Sequence, residues 1–260
     1  MQGTTVHLPQ MTKANAIIIG ISAGLFILDS LFRQSVGFST LPIIGLSWSG
    51  ITSGLITQLI TYPFAPSSFI QVLFSGLILW FLGCELERQW GVVRYLFVLS
   101  VATLIGGLIY LSFAAIFFSG PMAAISLAGL AGISSGLCLI YAILYPDRQF
   151  VFMFLFPMKA KYFCMLLIGI TLYQGIFSPA GVLAWGHLGV MLGAFIGLRL
   201  LVSPFASQFL AKLEYRFSRS SGGGSSFGGA QRNRRSTRTH LKIVRDESDD
   251  DDKKPPKYWQ

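Results

Sequence analysis

Gly129 to Pro146 reads G-L-A-G-I-S-S-G-L-C-L-I-Y-A-I-L-Y-P, a stretch without a charged side chain, closed by Tyr145 and Pro146. Gly129, Gly132 and Gly136 recur at spacings of three and four, so on a helix they share one face. A glycine row of this kind lets a second helix approach closely, and in lipid such packing is what holds helices together. Proline lacks the amide hydrogen that a helix needs, so the run stops at the aromatic-Pro pair. The segment therefore reads as a packing helix in a membrane bundle.

The rest of the chain agrees in composition. Of 260 residues, 53% are hydrophobic, 14% aromatic and 12% charged, and the mean hydropathy is +0.61. These values exclude an ordinary soluble domain and fit a polytopic membrane protein. Before residue 203 there are only eight basic residues (Lys13, Arg33, Arg88, Arg94, Arg148, Lys159, Lys161, Arg199) and four acidic ones (Asp29, Glu85, Glu87, Asp147). The net charge of +9 is thus mostly a property of the tail. Cys84, Cys138 and Cys164 sit in or beside apolar segments with no metal or disulfide spacing and read as small buried hydrophobes.

Six stretches are long enough to cross roughly 30 Å of hydrocarbon at about 1.5 Å per residue. They lie near 14–33, 69–87, 94–118, 124–145, 161–177 and 181–202. The first, interrupted by Asp29 and preceded by no small-residue cleavage site, reads as a retained span rather than a cleaved signal peptide. Between the first two, residues 34–68 carry Pro42, Trp48, Pro63 and Pro66. This segment is too broken for a span and too apolar for a free loop, and reads as a structured element in the membrane interface. With six spans, Lys13, the Arg88/Arg94 connection, the Arg148/Lys159/Lys161 connection and the basic tail fall on one side, which the positive-inside rule makes cytoplasmic. The expected organisation is a cytoplasmic N-terminus over 1–13, a membrane domain over 14–202 and a cytoplasmic tail over 203–260. The tail is Gly/Ser-rich, then basic (Arg232 to Arg245), then acidic (Asp246 to Asp252), and is expected to be disordered after about residue 218. It reads as an inner-leaflet-hugging segment, with no nucleic acid expected. Asp29 and Arg33 read as an i,i+4 pair at a membrane boundary. Glu85, Glu87 and Arg88 read as ties between the interfacial segment and the second span.

Several segments, in order, resemble the rhomboid family of intramembrane serine proteases, bacterial type. Gly129-Leu130-Ala131-Gly132 stands in the register of the family's G-x-S-G, with Gly136, Tyr145 and Pro146 in their places. Gln58 to Tyr62 (Q-L-I-T-Y) resembles the stretch before the second span, and Trp80 to Gly91 (W-F-L-G-C-E-L-E-R-Q-W-G) the family's G-x-E-L-E-R-x-x-G. Pro157 to Phe163 is similar to the start of the fifth span, and Gly186 to Gly193 (G-H-L-G-V-M-L-G) to the sixth-span H-L-G-G. The resemblance covers about Ala14 to Val202 and implies an all-α fold, a six-helix membrane bundle with an interfacial element between helices 1 and 2.

The resemblance also implies a chemistry. A hydroxyl is a poor nucleophile until a base takes its proton, and a facing imidazole is suited by its pKa. The family pairs a serine on the fourth span with a histidine on the sixth, and adds donors from the second span for the oxyanion. Here His187, the one histidine of the core, holds the base position, as catalytic base or as its relic. Ala131 stands at the nucleophile and has no oxygen. Gln71 and Ser75 occupy the oxyanion positions, and Val190 replaces the second glycine of H-L-G-G. Gly129, Gly132 and Gly136 on the fourth span and Gly189, Gly193 and Gly197 on the sixth are expected to let the two helices meet.

Departures concentrated at the chemistry, with packing features kept, read as a pseudoprotease that binds transmembrane segments of client proteins without cutting them. A competing register uses Gly132-Ile133-Ser134 and makes Ser134 with His187 the dyad of an active endopeptidase. Ser134 lies about 5 Å along the axis from Ala131, and that register loses Tyr145-Pro146. A transporter is disfavoured, because neither an inverted repeat nor paired intramembrane charges appear. No metal and no cofactor is expected. Partners are transmembrane segments and membrane lipid, and the resemblance places the protein in a bacterial inner membrane with both termini cytoplasmic.

Overall fold

The computed structural model describes residues 10–117, 125–152, 156–178 and 181–203, with Leu210 and Lys212. The expected disordered tail and residues 1–9 lie outside the described residues. Among those described, five helices are long and apolar enough to cross a membrane. They are α1 (Lys13–Val36), a continuous helix over Phe69–Trp90, α7 (Val92–Phe117), α9 (Ala160–Phe177) and α10 (Gly181–Val202). The second is built from α5 (Phe69–Ile78), one wide turn over Leu79–Gly83 and α6 (Cys84–Trp90).

The expected span at 124–145 is shorter than the sequence suggests. Its helix, α8 (Ala131–Leu144), has 14 residues, about 21 Å against the roughly 30 Å of a hydrocarbon core. Residues 125–130 are not helical because they are used otherwise. Leu127 exchanges two backbone hydrogen bonds with Leu46, at 2.7 and 2.9 Å, and Gly129 sits at φ +85°, where a side chain would be strained. Apolar composition alone does not distinguish such an extended lead-in from helix.

Residues 37–68 form three short helices, α2 (Leu41–Ile44), α3 (Trp48–Thr52) and α4 (Gln58–Thr61), and a tight turn over Tyr62–Phe64. Gln58 is fully buried at their centre. Its amide donates to the Pro42 carbonyl at 2.8 Å, and its carbonyl accepts from the Ser47 N–H at 3.2 Å. Asp29 anchors the segment to α1. It pairs with Arg33 at 2.6 Å and accepts from the Thr40 N–H at 2.6 Å and the Thr40 hydroxyl at 2.8 Å. Tyr62 donates to the Thr103 carbonyl of α7 at 2.9 Å, and Gly107 clears room on α7 for Leu59 and Leu46.

Glu85, Glu87 and Arg88 do not tie this segment to the second helix. They sit at its opposite end, more than 20 Å away at about 1.5 Å per residue. Buried Glu87 accepts from the Thr12 hydroxyl and from the Asn15 amide at 2.8 Å, and Tyr95 donates to the Asn15 carbonyl at 2.7 Å. Gly83 leaves the space in which Tyr95 and Asn15 meet. Arg88 donates to the Gln10 carbonyl, and Glu85 pairs with Arg148 and accepts from the Tyr141 hydroxyl at 3.0 Å. One end of the bundle thus gathers the start of α1, the end of α6 and the connection after α8.

That connection adds a short hairpin to the otherwise helical bundle. Gln149–Phe152 (β1) and Phe156–Lys159 (β2) pair antiparallel, Gln149 opposite Lys159. The pairing satisfies backbone groups of the connection. Beside it, Asp147 bonds Lys161 at 3.2 Å and lies 3.5 Å from Lys159. The Lys161 bond, with the charge of both lysines, holds the exposed Asp147 carboxyl below its ordinary range.

The core follows α10, which packs most extensively on α7, then α8, then α9. The two glycine rows do not face each other. Gly132 and Gly136 of α8 lie against Val190, His187 and Ala194, whereas Gly189, Gly193 and Gly197 lie against Gly106, Ile109, Ala102 and Val98 of α7. Helix α10 therefore has two close seams on two faces, and Val190, 1% exposed, fills the space left by Gly106, Gly132 and Gly136.

Candidate functional site

At the end of the bundle away from Glu87, the starts of α5, α8 and α10 converge on a cavity of about 260 Å³. Its polar lining comes from Ser67, Gln71, Ser126 and His187. Each has a local reason for its place. Ser68 caps α5, its hydroxyl accepting from the Gln71 N–H at 3.3 Å, which sets Gln71 in the first turn and Ser67 just outside it. Gly129 donates its N–H to the Tyr62 carbonyl at 3.0 Å and turns the chain into Ala131, the first residue of α8. A Cβ on Gly129 would stand 2.9 Å from the Ser67 hydroxyl oxygen and 3.4 Å from the Gln71 amide nitrogen. His187, in the second turn of α10, lies with its Cδ2 3.5 Å from where a Cβ on Gly132 would stand.

The structure brings some of the expected site residues together and separates others. Gln71 and His187 share the cavity, beside the turn that delivers Ala131. Ser75, one turn further along α5, is buried and presents its carbonyl to α8 instead. Ser134 is also buried, and its hydroxyl lies 3.0 Å from the Leu130 carbonyl and 3.4 Å from the Ser75 carbonyl. It makes no hydrogen bond to His187. Ser135 donates to the Gly132 carbonyl at 2.7 Å, the local bonding that serine adopts inside helices.

Sequence reasoning missed Ser67 and Ser126. The Pro66-Ser67-Ser68 run is legible as a helix cap, but nothing in it shows that Ser67 turns inward. The Ser67 hydroxyl is buried without a partner among the described residues. Neither the Gln71 carboxamide nor the His187 ring hydrogen-bonds to another described residue. No charged residue lines the cavity, and its remaining walls are apolar, including Leu41, Pro66 and Leu183. Among the described residues no cluster of His, Cys, Asp and Glu is arranged to hold a metal. Chemically, the site offers neutral donors and acceptors and an imidazole, with a methyl group at the head of α8.

No curated protein matches the chain. The family model described as Rhomboid domain matches residues 53–203, which takes in α4 through α10 and every cavity residue but Leu41. A match over more than half of the chain, on a bundle of apolar helices in that order, makes this protein an integral membrane member of the rhomboid family.

Proposed function

We propose that this rhomboid-family protein binds transmembrane segments of client proteins without cleaving them. The observation that carries the reading is Ala131: at the head of α8, beside the cavity that His187 lines, the side chain is a methyl group. Proton transfer to an imidazole needs an oxygen or sulfur at that position. Support comes from Ser134, whose hydroxyl is directed to the backbone carbonyls of Leu130 and Ser75 and makes no hydrogen bond to His187. In this reading the chain crosses a bacterial inner membrane six times, α8 being the short crossing, with both termini cytoplasmic and the cavity toward the outer side. The polar end holding Arg88 and Arg148 faces inward, as the positive-inside rule asks.

The alternative, an active endopeptidase with a Ser134/His187 dyad, is favoured by one observation, the unpartnered imidazole of His187. The two are separated with purified protein in lipid, a fluorophosphonate probe and a cleavable single-span substrate. The expected outcome is no labelling and no cleavage, unaltered by Ser134→Ala. Ala131→Ser should give partial labelling that His187→Ala removes. It should stay weak, since the loss of one oxyanion donor costs about 10²–10³ in rate. Parental cleavage abolished by both Ser134→Ala and His187→Ala overturns the non-cleaving reading.

A further inference from the structure

The cavity at the head of α8 contains three polar side chains without hydrogen-bond partners among the described residues: the buried Ser67 hydroxyl, the Gln71 carboxamide and the His187 ring. The Ser67 hydroxyl is buried, where a polar group without a partner costs about 1–3 kcal/mol, and the half-buried Gln71 and His187 side chains beside it are open to whatever enters and pairs with it. Each presents both a donor and an acceptor. A hydroxyl gives and takes one bond, a neutral imidazole has one N–H and one bare nitrogen, and a carboxamide has a carbonyl and two N–H groups. No Asp, Glu, Lys or Arg lines the space. A charged occupant would therefore be buried without a counter-ion, at a cost of several kcal/mol.

The cavity, of about 260 Å³, has room for one uncharged polar side chain. We infer that, resting on the client-binding reading above, this cavity selects client transmembrane segments by accepting one neutral carboxamide side chain, Asn or Gln. Gln71 forms a reciprocal pair of bonds with it, N–H to carbonyl in both directions, while Ser67 and His187 reach the remaining lone pair and N–H. In hydrocarbon such an amide has no water to turn to, which is what makes the pocket discriminating.

The experiment measures affinity by energy transfer between labelled protein in lipid nanodiscs and four otherwise identical single-span peptides. They carry Leu, Asn, Asp or Lys at the depth of the cavity. Interhelical side-chain hydrogen bonds in membranes are worth about 0.6–2 kcal/mol each, so two should make the Asn peptide bind about tenfold more tightly than the Leu peptide. Asp and Lys should show no such gain. Gln71→Leu should bring the Asn-to-Leu ratio to within about twofold, and Ser67→Ala should lower it in part. The Ser67 hydroxyl has no partner among the described residues, so that variant should melt at the parental temperature or above, which keeps the test valid if Gln71→Leu folds poorly. Equal binding of Leu and Asn peptides overturns carboxamide recognition and leaves client binding standing. A preference for Asp or Lys, or an Asn preference that survives both variants, overturns it as well. Failure of all four peptides to bind overturns client binding and this inference together.

Discussion

Val190 and Gln58 show two ways in which one side chain holds several elements in place. Val190 is packed on Gly106 of α7 and on Gly132 and Gly136 of α8, where the resemblance to H-L-G-G would put a glycine. Val190→Gly should destabilise by roughly 2 kcal/mol or more, because neither glycine-lined wall has side chains to collapse into the void. Thermal unfolding in detergent measures it, and a variant as stable as the parent means that the helices close up. Gln58 is different in kind. Its carboxamide is the only described partner of the Ser47 N–H and, with the Thr61 hydroxyl on the Ile44 carbonyl, joins α4 to α2. Gln58→Leu should cost about 1–3 kcal/mol, the penalty of stranding buried backbone groups, and should make residues 41–64 the first to be cut by added protease. The role of Gln58 was legible only as a motif letter. That its amide would be satisfied by backbone sixteen residues away is a tertiary fact that no local pattern carries.

At the scale of elements, the apolar runs gave the long helices nearly to the residue, because hydrophobic length in lipid leaves few alternatives. The start of α8 and the hairpin were not legible, since both are set by backbone pairing with distant or polar partners. The glycine rows were legible as packing faces but not as to what they pack on. Spacing identifies a helix face and is silent about which neighbour meets it. The corrected pairing gives its own test. Gly136→Leu should open the α8/α10 seam, and Gly193→Leu the α7/α10 seam, each at about 1–3 kcal/mol, as overpacking costs. Gly136 meets Ala194 and Val190 while Gly193 meets Ala102 and Ile105, so the two open different seams and the double variant should lose about the sum. A strongly sub-additive loss would show the seams to be one. The connection after α8 responds to acid. The lysines hold Asp147 below its ordinary range, so its contribution is in place above that range and is lost as pH falls through the lowered value. Asp147→Asn should flatten that part of the acid dependence of melting.

For the molecule as a whole, the two ends of the bundle differ in kind: one a network of charged and amide side chains, the other a neutral cavity under the segment between α1 and α5. Single cysteines placed at Ser178 and Ser53 should react with a membrane-impermeant reagent from outside, and one at Arg148 only after the membrane is opened. The native cysteines, being buried, leave a low background. Labelling of Arg148→Cys from outside would invert the arrangement. The placement of α10 between α7 and α8 also has a mechanical consequence. Its most apolar stretch is 56% buried in the bundle, against 22% for α1. A force probe pulling on the C-terminal tail must break both seams in its first step, whereas one pulling on the N-terminus first peels off a helix held mainly along one side. Extraction from the C-terminal end should therefore begin with the largest rupture of the trace, and extraction from the N-terminal end with a small one. The direction from which a membrane-bound extraction machine grips this chain would then set how fast it is removed.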